Sequence, residues 1–135
     1  MIVLDTHVWI WLINGSSELK PKVRTWIDKA AADGPILIPS ICLWEVAMLA
    51  SRGKIVTNKP VLQWLNEAIT APATLLAPLS SEVATESCNL PGVFHNDPAD
   101  RLIVATARVE KAVLVTRDSR ILEYGLSGNV KVHPV

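Results

Sequence analysis

Four short apolar runs constrain this chain more than any other feature: "MIVLD", "PILIP", "TLLAPL" and "VLVT". Each core is a few residues long and carries no polar alternation, which is the pattern of a strand buried on both faces. Between them lie segments with helical spacing. "THVWIWLING" reads as a short helix capped by Thr6 and ended by Asn14-Gly15. "SSELKPKVRTWIDKAAADG" places Leu19, Val23, Trp26, Ile27 and Ala30 on one face and stops at Gly34. "SICLWEVAMLASRG" follows, with Ser40 in the cap position and Gly53 at its end, and "KPVLQWLNEAITA" is amphipathic. "SSEVATESCNLPG", "DPADRLIVATARVEKA" and a short helix from Asp118 complete the set, and "VKVHPV" reads as an edge strand. Doubly buried strands alternating with helices predict an α/β fold, a mostly parallel sheet of four to five strands covered on both sides. Open sheets of this kind take their ligands beyond the carboxyl ends of the strands.

At 135 residues the chain fits one domain, 1–135, large enough to bury about two thirds of its unfolded surface. Half of it is hydrophobic, yet no apolar run approaches the roughly 20 residues that span a bilayer. The start lacks a basic region and a cleavage site, so no signal peptide is expected. Two cysteines, Cys42 and Cys88, each in a helical pattern, suit a reducing cytoplasm rather than a disulfide framework. Thirteen basic residues balance thirteen acidic ones, which argues against a broad phosphate-binding surface but leaves room for a local nucleic-acid site. Five Trp against one Phe and one Tyr point to apolar surface that belongs to a partner.

The acids sort into two groups. Glu18, Asp28, Asp33, Glu67, Glu82, Glu86, Glu110 and Glu123 read as solvated helix faces. Asp5 instead closes the first strand, and Asp118 follows the fourth in the same way, "VLVTRD". Asp97, Pro98 and Asp100 form an N-cap, an N1 proline and an N3 acid, so a capping role accounts for Asp97 and in part for Asp100. Glu45 has Ile41, Cys42, Met48 and Leu49 as its helical neighbours. A glutamate on such a face needs a cation, a donor or a raised pKa.

Asp5, Glu45, Asp100 and Asp118 could not share a small site while ionised without strong repulsion, and a divalent cation is the natural compensation. Oxygen donors without Cys/His ligand spacing select Mg²⁺ or Mn²⁺ over Zn²⁺. His7, His95 and His133 are scattered and read as loop or surface residues. A carboxylate-held metal suits phosphodiester hydrolysis, because it activates a water and neutralises charge on the phosphate.

"VLDTHVWIW", "SICLWEVAMLASRGKI", "HNDPADRLIVATA" and "VLVTRDSRI" together, in this order, resemble a PIN-domain protein, and more narrowly a VapC-type toxin of a bacterial toxin–antitoxin pair. The resemblance covers essentially the whole chain. It implies a three-layer α/β/α sandwich, an Mg²⁺-dependent endoribonuclease and an acidic quartet of Asp5, Glu45, Asp100 and Asp118. Asp5, Asp100 and Asp118 would be metal ligands, Glu45 a ligand or water-orienting group, and Thr116, Thr6 and Asp97 supporting residues. It further implies a homodimer and a cognate antitoxin seated near the active site. Trp9, Trp11 and Trp44 are then candidates for the antitoxin interface, with the core as their alternative place. Arg52, Lys54, Arg101, Arg117 and Arg120 are candidates for RNA or partner contacts, with structural salt bridges as the alternative.

Two other readings fit part of the sequence. Asp5 at a strand end with Mg²⁺ would suit phosphoryl transfer through an aspartyl-phosphate, but residue 7 is His where such phosphatases carry a second Asp, and "ILIP" lacks a receiver domain's acid. A non-catalytic PIN-like binding module is the other, against which the full set of four acids argues.

Overall fold

The computed structural model describes residues 1–135. In chain order its elements are β1 (Ile2–Leu4), α1 (Thr6–Asn14), α2 (Pro21–Asp33), β2 (Ile36–Pro39), α3 (Ile41–Ser51) and α4 (Val61–Ile69). There follow β3 (Thr74–Ala77), α5 (Ser81–Cys88), α6 (Pro98–Glu110), β4 (Val113–Thr116), α7 (Ser119–Leu126) and β5 (Val132–Pro134). The five strands form one sheet in the order β3-β2-β1-β4-β5, every pairing parallel. This is the α/β architecture expected from the apolar runs, with β5 at an edge.

Two features of the sheet place the site. β1 and β2 are buried along their whole length, as strands with helices on both faces must be. From β1 the chain crosses to β2 on one side, while β4 pairs on the other, with Val3 facing both Leu37 and Leu114. The gap between β1 and β4 is thus the point where strand order reverses, and a crevice opens there beyond the carboxyl ends. Asp5 and Asp118 stand on its two sides. Helix α6 reaches the same region, packing against β1, β4 and α3, so Asp100 and Glu45 are delivered to it from other elements. No helix is long and apolar enough to cross a membrane.

The helix starts differ from expectation in two places. Asp5, rather than Thr6, caps α1: its Oδ1 accepts from the Thr6 backbone N–H at 2.8 Å. Thr6 is already helical, and its hydroxyl is turned elsewhere. Helix α2 starts at Pro21 instead of in "SSELK", because proline's fixed φ suits the first helical position. The turn before it is held by the Arg24 guanidinium, which donates to the carbonyls of Trp11 and Ser16. Ser40 does stand at the start of α3, but in helical conformation and without a side-chain cap bond.

Candidate active site

Asp5 is the most buried of the four acids, with 9% of its surface exposed. Its Oδ2 accepts from the Thr116 hydroxyl at 2.6 Å, and that hydroxyl in turn accepts from the Asp118 backbone N–H at 3.0 Å. Thr116 is fully buried at the end of β4. One hydroxyl therefore ties together the acids that close β1 and follow β4. Burial pushes the Asp5 carboxyl above its ordinary range; the bonds from Thr116 and Thr6 oppose this, and the Asp118 charge adds to it.

Asp118 caps α7, its Oδ1 accepting from the N–H groups of Arg120 (2.9 Å) and Ile121 (3.1 Å). Its Oδ2 lies 3.9 Å from the Arg120 guanidinium, which is the same distance from Asp100 Oδ2. Asp97 caps α6 by accepting from the Asp100 N–H at 2.9 Å, which sets Asp100 in the first turn. Burial, followed by the charges of Asp5, Asp97, Asp118 and Glu45, raises Asp100 from 3.8 to about 7. Glu45 is half-buried on α3, and Thr6 donates its hydroxyl to Oε1 at 2.5 Å. Burial raises Glu45 as well, and the Thr6 bond opposes it. The chemistry of "DT" at the end of β1 is thus divided: Asp5 reaches β4, and Thr6 reaches α3.

These side chains line a cleft of about 410 Å³, together with His7, Trp11, Asp97, Arg117 and Arg120. The donor set fits a hard divalent cation, being carboxylate oxygen with no thiolate or imidazole ligand pattern. The raised Asp100 reflects burial first and the crowding of neighbouring acids second, which the Arg120 guanidinium at 3.9 Å does not offset. No three of these side chains already surround a single point as a metal-holding group.

The remaining candidates separate. Trp9 is 1% exposed and packs edge-on against Trp64 at 5.3 Å, so it belongs to the core and to no interface. Trp11 is half-buried at the cleft wall, with the Arg117 guanidinium 4.3 Å above its ring. Trp44 is 57% exposed. Arg52 and Lys54 are exposed beyond the end of α3 and line no part of the cleft. Arg117 is braced by the carboxylate and carbonyl of Glu18 and by the Val135 carbonyl. Arg120 is the candidate whose guanidinium faces the acids directly.

Arg101 takes the structural alternative, with carbonyls in place of a salt bridge. Its guanidinium donates to the carbonyls of Ser87 (2.8 Å), Phe94 (3.1 Å) and His95 (3.2 Å), so it clamps the loop ahead of α6. Replacing it with Met should cost about 2 kcal/mol by leaving carbonyls without their charged donor. Denaturant melts would register the loss, together with faster hydrogen exchange in residues 91–96.

The clamped loop carries the residue that sequence reasoning passed over. His95 is half-buried, and its Nε2 lies 3.0 Å from Asp100 Oδ2. The available signal was its place two residues ahead of a capping aspartate. His133, by contrast, stacks on Trp26 at 3.6 Å, away from the acids.

Comparison with known proteins agrees with this geometry. The family model described as the PIN domain matches residues 2–126. Ribonuclease VapC22 of Mycobacterium tuberculosis is 33% identical over 120 residues, which make up 89% of this chain and 88% of that protein. Among solved structures, VapBC2 of Rickettsia felis bound to a DNA fragment from its promoter superposes with a TM-score of 0.71 at 20% identity, over 99% of this chain and 98% of that one. A toxin–antitoxin complex from Klebsiella pneumoniae gives 0.62 at 22% identity, over 89% and 88%. The chain belongs to the PIN domain family and, within it, to the VapC type.

Proposed function

We propose that this protein is an Mg²⁺- or Mn²⁺-dependent endoribonuclease and the toxin of a toxin–antitoxin pair. The observation that carries the reading is the convergence of Asp5, Glu45, Asp100 and Asp118 in one cleft at the strand-order reversal, with Asp100 driven to about 7. The kinship with a VapC ribonuclease names the substrate class.

Asp5, Asp100 and Asp118 would hold the cation, which would supply neutralisation of the scissile phosphate and a water of lowered pKa. The chain's own groups do the rest. Thr116 fixes the orientation of Asp5, and the Asp118 backbone fixes that of Thr116. Glu45, positioned by the Thr6 hydroxyl and raised by burial, is placed to take a proton from the attacking water. Arg120, 60% exposed at the cleft mouth, meets a phosphate of the entering strand. A cognate antitoxin, the kind of partner found in the toxin–antitoxin complex from Klebsiella pneumoniae that shares the fold, would cover Trp11 at the cleft wall and the exposed Trp44, and the toxin would pair with a second copy of itself.

Purified protein should cleave single-stranded RNA in Mg²⁺ or Mn²⁺, lose at least about a hundredfold of that rate in chelator, and recover it with added Mn²⁺. Cleavage that persists undiminished in chelator would defeat the reading.

A further inference from the structure

We infer that His95 is a positioning residue for Asp100, donating its Nε2–H to the Oδ2 of that carboxylate and so holding it in place for the cation. The inference rests on the metal site proposed above.

Three observations carry it. The first concerns the tautomer. The Asp97 backbone N–H points at His95 Nδ1 at 3.3 Å, so Nδ1 is the acceptor and a neutral ring must carry its proton on Nε2. The second is what that proton meets. Nε2 is buried with no well-aligned partner, and the oxygen beside it is Asp100 Oδ2 at 3.0 Å. A buried N–H left without an acceptor is costly, which favours a turn of the Asp100 carboxylate into line with it.

The third is how firmly the ring is held. Arg101 takes the carbonyls of Phe94 and His95. The Phe94 ring packs on His95 at 4.4 Å and on Tyr124 at 4.8 Å, and the Tyr124 hydroxyl donates to the Pro91 carbonyl. A surface histidine needs no such framework. Asp97 thus has two outputs: its carboxylate caps Asp100, and its N–H sets the tautomer of the ring that meets Asp100's side chain.

Two substitutions separate positioning from plain structural support. His95→Asn keeps an acceptor near Nδ1 for the Asp97 N–H but has nothing that reaches Asp100. His95→Gln carries an amide donor out to about the place of Nε2. Loss of an outer partner to a metal ligand weakens metal binding about tenfold to a hundredfold. Titration calorimetry with Mn²⁺ should show that loss for His95→Asn and near-wild-type affinity for His95→Gln. RNA cleavage by His95→Asn should recover as Mn²⁺ is raised. Equal affinity in wild type and His95→Asn, or equal loss in both variants, overturns the inference. A wild type that takes up no Mn²⁺ overturns the metal reading itself. Imidazole ¹⁵N shifts of the metal-free wild type test the tautomer without any variant: a proton on Nε2 is expected, and one on Nδ1 overturns the inference.

Discussion

Asp100→Asn should abolish RNA cleavage, by at least about a hundredfold, and at the same time make the metal-free protein more stable at neutral pH. The two effects share one cause. Burial and four neighbouring carboxylates lift Asp100 from 3.8 to about 7, so between about pH 4 and 7 the folded protein retains a proton that the unfolded chain has released. Stability contributed by that proton is full below pH 4, falls as the pH climbs to 7, and is gone above it. A displacement of this size corresponds to about 4 kcal/mol, reduced to about 2 by solvent at a side chain that stays 15% exposed. Asparagine keeps the shape without the charge. In chelator, the variant should therefore melt close to wild type near pH 4.5 and roughly 5–10 °C above it near pH 7.5. Mg²⁺ or Mn²⁺ should raise wild type toward the variant and leave the variant unmoved. Melting points that stay together at all pH values would show that Asp100 is not under charge strain.

The same strain explains how much of the site was legible in the sequence. Asp5 and Asp118 were visible because each follows an apolar strand, and a parallel sheet sends such residues to one edge. Glu45 stood out as an acid among Ile41, Cys42, Met48 and Leu49. In the structure, its partner is the Thr6 hydroxyl, 39 positions away, which no helical spacing discloses. His95 was hidden for a related reason. Its neighbours in sequence suggest an exposed loop, and what buries its Nε2 is the loop's own fold, pinned by Arg101 from within α6. The tryptophans show the limit of pattern from the other side. Trp9 and Trp11 are two residues apart on one helix, about 200° around its axis. One is therefore sealed against Trp64 while the other reaches the cleft wall. Arginine roles were the least legible, because a guanidinium's partners are carbonyls of distant segments; Arg101 and Arg117 are both committed in that way.

Thr116→Val should lower cleavage about tenfold to a hundredfold and destabilise the fold by about 1–3 kcal/mol, although it changes almost nothing in volume. The hydroxyl serves two acids: it donates to Asp5 Oδ2 and accepts from the Asp118 N–H, in a position with no exposure to water. Valine leaves both groups unpaired. Losing the donor also removes one of the bonds that hold the Asp5 carboxyl down, so its affinity for a proton rises further. The sign of the pH dependence follows. The lost bond favoured the ionised form, so the deficit in stability should be largest at neutral pH and should narrow as the pH falls and Asp5 takes up its proton. Thr116→Ser keeps the hydroxyl at the price of a methyl group and should retain most of the cleavage. Denaturant melts at pH 7.5 and 4.5, read beside RNA cleavage, distinguish the cases. If valine and serine behave alike, the hydroxyl is not what joins the two strand-end acids.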